Sequence, residues 1–254
     1  MTSFSDLFGG GGGGEIISSE IFTTSGTWTK SVDVLPTDFI NVEMWGGGAS
    51  GACILGSSTA RTATGGGGGG YTRFSISASL LSATETVAVG SGGAGVVQTG
   101  VNGHLTRNIG GTSSFTINGV ERIIATGGQS NAQGGSGFPD FSLVADSDRG
   151  GYFTLGLRFY PGGKGGGMSA GSSSVTSVDP PTDSIAGGAG GAAGSTYPSN
   201  GTDGGTPAGG GGCGVSDSTT NFTSGSGGNG RVVISVVRGV FLLDDLSSYK
   251  DFTI

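Results

Sequence analysis

Apolar and polar residues alternate along this chain in short bursts, and most bursts abut glycine. In Phe39-Ile40-Asn41-Val42-Glu43-Met44-Trp45, Ile40, Val42 and Met44 share one face and Phe39, Asn41, Glu43 and Trp45 the other. A period of two belongs to a half-buried β-strand. Similar patterns of alternating, β-branched and aromatic residues predict strands at 16–17, 20–24, 26–29, 71–77, 85–89, 113–117, 121–125 and 231–237. Asn118-Gly119 separates two of these by a dipeptide that accepts positive φ at both positions, the mark of a tight hairpin. Residues 78–83, Ala-Ser-Leu-Leu-Ser-Ala, are the one stretch that reads as a helical turn. The pattern predicts an all-β fold, with an antiparallel β-sandwich as scaffold.

Between the strands lie glycine-rich stretches at 46–70, 90–111, 127–137, 161–171, 187–194, 201–214 and 225–230. Glycine supplies 59 of 254 residues, roughly three times its usual share of about 7 %. The absence of a Gly-X-Y period, with only 7 prolines, excludes collagen. Ordering a glycine costs about 1–2 kcal/mol of backbone freedom, so these stretches are either disordered or packed on one another. The packed arrangement is the reading adopted: extended left-handed helices of the polyglycine II type, akin to polyproline II. Such helices have three residues per turn and no internal hydrogen bonds, so neighbours must satisfy their backbone groups. Only glycine lets the backbones approach closely enough, with alanine tolerated where a side chain faces outward.

The organisation that follows has five parts. Residues 1–14 form a docking peptide on a glycine tether, and 15–126 a β scaffold with glycine-rich excursions. Residues 127–230 are a polyglycine II region with long, variable display loops, 231–238 the closing scaffold strand and 239–254 a docking tail.

Charge and composition narrow the function. The net charge is −7 and no basic stripe is present, which argues against nucleic acid as a partner. No apolar run reaches the roughly 18 residues needed to cross a bilayer, so membrane insertion is not expected. The first residues lack the basic and apolar regions of a cleaved leader, and synthesis in a cytoplasm is expected. Cys53 and Cys213 are the only cysteines, too few for a disulfide framework. Whether they pair is open.

Candidate chemistry thins out on inspection. Gly167-Met168-Ser169-Ala170-Gly171 matches G-x-S-x-G, but a nucleophile elbow needs a strand before the serine, a helix after it and a later histidine. The single histidine, His104, precedes it. Gly162-Gly163-Lys164-Gly165 lacks the Ser/Thr of a phosphate loop. Asp146 and Asp148 are a calcium-loop fragment without the later ligands. No enzyme signature, metal site or cofactor is expected.

Four motifs stand in order along the chain: Phe22-Thr23-Thr24-Ser25-Gly26-Thr27-Trp28-Thr29, then Val42-Glu43-Met44-Trp45-Gly46-Gly47-Gly48, Gly65–Gly70 with Tyr71, and Gly228-Asn229-Gly230-Arg231-Val232-Val233-Ile234. Together they resemble the glycine-rich domain of bacteriophage tail-fibre and tail-tip proteins. Ser31 stands where that family usually has proline. The layout is also similar to the distal adhesins of T-even-type tail fibres, whose polyglycine helices hold receptor-binding loops. The resemblance implies a virion protein, assembled in the host cytoplasm, that recognises a host surface glycan or outer-membrane protein. A head fibre or capsid decoration protein without a receptor is the alternative it leaves.

Within that expectation, aromatic loop residues are the candidate receptor contacts: Phe138, Phe141, Tyr152, Phe153, Arg158, Phe159, Tyr160, Tyr197 and Phe222. Rigid aromatics give large contact area at low entropic cost, and Tyr and Arg are frequent hot spots. Residues 152–160 read equally as a further alternating strand. Phe4, Leu7, Phe8, Phe241, Leu242 and Leu243 are the candidate contacts to other virion proteins. Monomer and homotrimer both stand open, since no heptad pattern enforces a trimer.

Overall fold

The computed structural model describes residues 15–55, 61–63, 65–98, 104–105, 107–129, 167–170, 175–178, 191, 199–216 and 221–238. In chain order the strands are β1 (Glu15–Phe22), β2 (Gly26–Thr29), β3 (Phe39–Trp45), β4 (Cys53–Leu55), β5 (Arg61–Ala63), β6 (Tyr71–Ser77), β7 (Thr84–Ala88) and β8 (Val97–Gln98). They continue as β9 (His104–Leu105), β10 (Ser113–Ile117), β11 (Val120–Ala125), β12 (Gly167–Ala170), β13 (Val175–Val178), β14 (Gly214–Ser216), β15 (Phe222–Thr223) and β16 (Arg231–Arg238).

Eight of these build the scaffold as two four-stranded antiparallel sheets, ordered β1-β16-β3-β6 and β11-β10-β7-β2. The alternation in β3 explains the packing. Ile40, Val42 and Met44 are fully buried beside Val232, Ile234 and Val236 of β16. From the second sheet Trp28, Val87, Phe115 and Ile123 enter the same core, with the Trp28 and Phe115 rings 6.3 Å apart. Each such side chain contributes about 1.5–3 kcal/mol by leaving water. Thr72 Oγ1 donates to the Ile124 carbonyl (2.9 Å), joining the sheets along one side.

Local signals act as expected at two turns. Asn118 and Gly119 take φ of 53° and 74°, so the β10–β11 hairpin closes through a dipeptide that tolerates left-handed backbone. The expected helical turn is a 3-10 turn at Ala78–Leu80, with Ser77 at its N-cap.

One end of the sandwich carries both ends of the described scaffold. Glu15 opens β1 directly opposite Arg238, the last residue of β16. The buried Asp38 carboxylate accepts from Arg238 Nε (3.2 Å) and Nη2 (3.1 Å) and from the Leu35 amide (2.8 Å). The hydrogen bond from Arg238 is the main reason the Asp38 carboxyl lies below its ordinary range, although burial opposes it. Glu85 is the second buried carboxylate at this end. It points inward from β7, one turn of the alternation from Val87, and is 2 % exposed. Burial pushes its carboxyl up. Together, hydrogen bonds from the Asn118 amide (2.9 Å), Thr116 Oγ1 (2.7 Å), the Ser82 amide (2.9 Å) and the Gly119 amide (3.5 Å) outweigh burial and hold it below the ordinary value. One carboxylate therefore satisfies donors from two turns.

Glu85→Gln is expected to destabilise the fold by about 2–3 kcal/mol at neutral pH, because buried amides lose a charged acceptor. The native carboxyl titrates below its unfolded value of about 4.3. The wild type's advantage should be complete above that value and fade as pH falls through the folded one. Urea denaturation of both proteins between pH 7 and pH 3 measures it; a gap that does not narrow would remove the charge from the explanation.

Candidate functional site: a glycine lattice carrying the loop stems

At the opposite end, six strands pass directly into glycine-rich runs. Run 46–52 follows β3, 90–96 follows β7 and 126–129 follows β11, while 65–70, 107–112 and 224–230 lead into β6, β10 and β16. A seventh run, 208–214, returns from 199–206 through a turn that contains a cis Thr206-Pro207 bond and Ala208 at φ 71°.

These runs hydrogen-bond in a repeating pattern. Gly46 donates to Gly70, Gly47 to Gly111 and Gly48 to Gly228; then Ala49 returns to the first neighbour at Gly67, Ser50 to the second at Asn108 and Gly51 to the third at Gly225, all at 2.8–3.0 Å. Three residues complete one circuit. The Gly47, Gly48 and Ala49 carbonyls accept from Gly128, Gly93 and Gly211, which lie on three further runs. Run 46–52 is thus enclosed by six neighbours.

The six are also bonded to one another in sequence around it. Gly66 donates to Gly211, Gly228 to Gly209, Gly227 to Gly93, Gly111 to Ser91 and Gly110 to Gly128, and Gly70 to Thr126 closes the ring. The result is a hexagonal array of seven chains. A Cβ at Gly47 would overlap the Ser91 carbonyl oxygen, and one at Gly48 that of Gly209. Backbone approach this close is what glycine makes available. Ala49 and Ala52 are nevertheless fully buried, so buried sites also take a methyl, beyond the outward-facing positions expected for alanine.

Side chains replace missing neighbours at the rim. Asn200 Oδ1 and Asp203 Oδ1 accept from the Thr223 and Ser226 amides (2.9 and 2.7 Å). Asn229 Oδ1 and Ser226 Oγ accept from the Gly92 and Gly95 amides (2.8 and 3.1 Å). Both pairs keep the three-residue spacing. That spacing of polar residues is the sequence signal that strand alternation overlooks. Where lattice meets sandwich, buried Ser113 Oγ donates to the Trp45 carbonyl (2.6 Å) and accepts from the Gly90 amide (2.9 Å).

Beyond the lattice the runs become short strands. β14 pairs in parallel with β4, β4 antiparallel with β9, and β15 antiparallel with β8. β12 lies between β13 and β5. The described residues flanking 56–60, 99–103, 130–166 and 217–220 all belong to this far end, away from Glu15 and Arg238.

Of the expected receptor contacts, Phe222 is described: it lies half-buried in β15, paired with Gln98, and its carbonyl faces Cys53 Sγ at 3.5 Å. Phe138, Phe141, Tyr152, Phe153, Arg158, Phe159, Tyr160 and Tyr197 lie outside the described residues, as do Asp146, Asp148, Gly162–Gly165 and the terminal Phe4, Leu7, Phe8, Phe241, Leu242 and Leu243. Ser169 sits inside β12 with antiparallel partners on both sides, which is not the strand-to-helix corner of a nucleophile elbow. Cys53 and Cys213 are buried thiols rather than a disulfide. Burial pushes the Cys213 thiol up to about 12, so it stays protonated at neutral pH. Among the described residues no cluster of three His, Cys, Asp or Glu side chains could hold a metal ion.

A family model described as a glycine-rich domain matches residues 23–237. No curated protein matches the chain.

Gly48→Ala is expected to cost about 3–5 kcal/mol, in the range of severe core lesions, whereas Val97→Ala at a half-exposed rim position should stay within about 0.5 kcal/mol. Denaturant melts give both values. Amide exchange adds a second readout: amides 46–51 should exchange only by global opening. Wild-type stability in Gly48→Ala, or exchange of 46–51 at random-coil rates, would contradict the enclosed lattice.

Proposed function

The chain belongs to the glycine-rich domain family, and from that premise we propose that it is a non-enzymatic bacteriophage virion protein, a tail-fibre or tail-tip adhesin. The observation that carries this reading is the division of the molecule into two ends. The stems of the long intervening segments stand on the far side of a hydrogen-bonded lattice, and both ends of the described scaffold stand on the opposite side. A protein that holds a particle at one end and reaches a host at the other needs this division.

In this reading the lattice runs are polyglycine II helices, which the three-residue hydrogen-bond repeat supports. The aromatic segments that include Phe138, Phe141 and 152–160 recognise a host surface glycan or outer-membrane protein. A rigid platform lowers the entropy lost when such segments bind, and several copies per particle add avidity. The terminal peptides 1–14 and 239–254 dock on other virion proteins.

An exposed apolar group at the attachment end favours a second reading, a head-fibre or capsid-decoration protein. Val32 (98 % exposed), Leu35 and Leu80 lie on turns that are bonded to each other through Lys30 Nζ to the Leu81 carbonyl (2.7 Å) and Ala78 N to the Asp38 carbonyl (2.9 Å). Such a group suits docking on a subunit and requires no receptor.

Replacing residues 130–166 with a short Gly-Ser linker leaves every described lattice bond in place. Phage particles carrying this variant are expected to lose adsorption to host cells by tenfold or more while amide protection of 46–51 is retained. Undiminished adsorption would favour decoration.

A further inference from the structure

One long strand of the scaffold has no neighbour on its outer side. The two sheets are joined along β6 and β11 through Thr72, whereas β1 ends its sheet on the opposite margin. Its eight residues pair with β16, and among the described residues no backbone bond reaches its other edge. Alternate amides and carbonyls of such a strand point outward, a template for one more strand. The register shift between Ile16 and Ser18 makes Ile17 an extra residue, which packs against the core. Ile16 then stands opposite Val237, Ser19 opposite Ser235 and Ile21 opposite Val233, all on the outer face. There Ser19 Oγ lies 3.1 Å from Ser235 Oγ. Without the extra residue Ile16 and Ile21 would face opposite ways. They are 41 % and 61 % exposed.

We propose that the outer edge of β1 binds an extended, basic segment of another protein, which joins the sheet as a further strand. The charge on the edge selects this occupant. Glu20 stands opposite the core residue Ile234, so it projects on the core-facing side of the sheet. It is nevertheless exposed and has no ionic partner among the described residues. Glu15 places a second exposed carboxylate at the start of the strand. A segment with Lys or Arg opposite Glu20 and Val or Ile opposite Ile16 and Ile21 meets both the charge and the apolar pattern. A second copy of the chain does not. Antiparallel self-pairing that sets Ile16 against Ile21 centres on Ser19, and it puts both Glu20 carboxylates on one side of the joined sheet. Each copy also brings a net charge of −7, and inward-pointing charges on an edge are a known bar to self-association. None of these residues belongs to the segments proposed above as receptor contacts, so this site stands or falls separately from them.

The probe is a capped peptide, Thr-Val-Lys-Thr-Thr-Val-Lys. In antiparallel register its valines face Ile21 and Ile16 and its lysines face Glu20 and Glu15. In an NMR titration of the full chain, the amide resonances of 15–22 are expected to shift saturably. At saturation the outward amides of β1 should exchange about tenfold more slowly. A control peptide with glutamate in place of both lysines should bind about fivefold more weakly or worse. Glu20→Lys should reverse that preference, and amide protection of 232–236 reports that the variant remains folded. Absence of a saturable shift in 15–22 would overturn the site. Equal affinity for the two peptides, or an unchanged preference in Glu20→Lys, would overturn the choice of a basic partner. Sedimentation showing a dimer of the free chain with 15–22 protected would give the edge to a second copy and overturn the proposal.

Discussion

Every buried peptide group needs a hydrogen-bond partner, and in the glycine runs that partner has to come from another run. An isolated extended chain with three residues per turn satisfies none of its own amides. The 46–52 run meets the requirement by sharing its donors and acceptors among six neighbours. No single pair of runs would be stable, because one bond every three residues returns about 1 kcal/mol against several residues of lost backbone entropy. The array works only when closed. That is why the ring of bonds around 46–52 matters more than any one of them.

The sandwich supplies what the lattice cannot. Its core removes Ile40, Met44, Phe115 and Val232 from water, and the six runs joined to its strands start at spacings set by the sheets. Part of the entropic cost of assembling the lattice is therefore met before any glycine bond forms. Ser113, bonded to both Trp45 and Gly90, shows the coupling at the seam. On the proposed function, this stiffness carries through to the host-facing segments, whose stems rise from the lattice and not from a flexible glycine linker.

How much was legible varies with the range of the interaction. The β3 alternation, the Asn118-Gly119 turn and the Ala78–Leu80 turn follow from steric and local hydrogen-bonding preferences within a few residues. Glu85 did not stand out, because three of its donors, Thr116, Asn118 and Gly119, reach it only after β7 pairs with β10. The Asp38–Arg238 pair, 200 positions apart in the chain, forms only on folding for the same reason. Of the candidate receptor contacts Phe222 can be placed, and its half-buried setting in β15 comes from pairing with β8.

By itself the amino-acid sequence determined the strand segments, their buried faces, the tight turns and the need for glycine runs to find partners, since these depend on side-chain size, period and φ tolerance. Tertiary structure decided which runs adjoin which, and that 46–52 lies at the centre. Glycines at 47, 66, 93, 110, 211 and 227 are chemically identical, so nothing local distinguishes one partner from another. The distinction comes from the strands that carry each run to its place, and from Ser, Asn and Asp side chains that terminate the array at its rim.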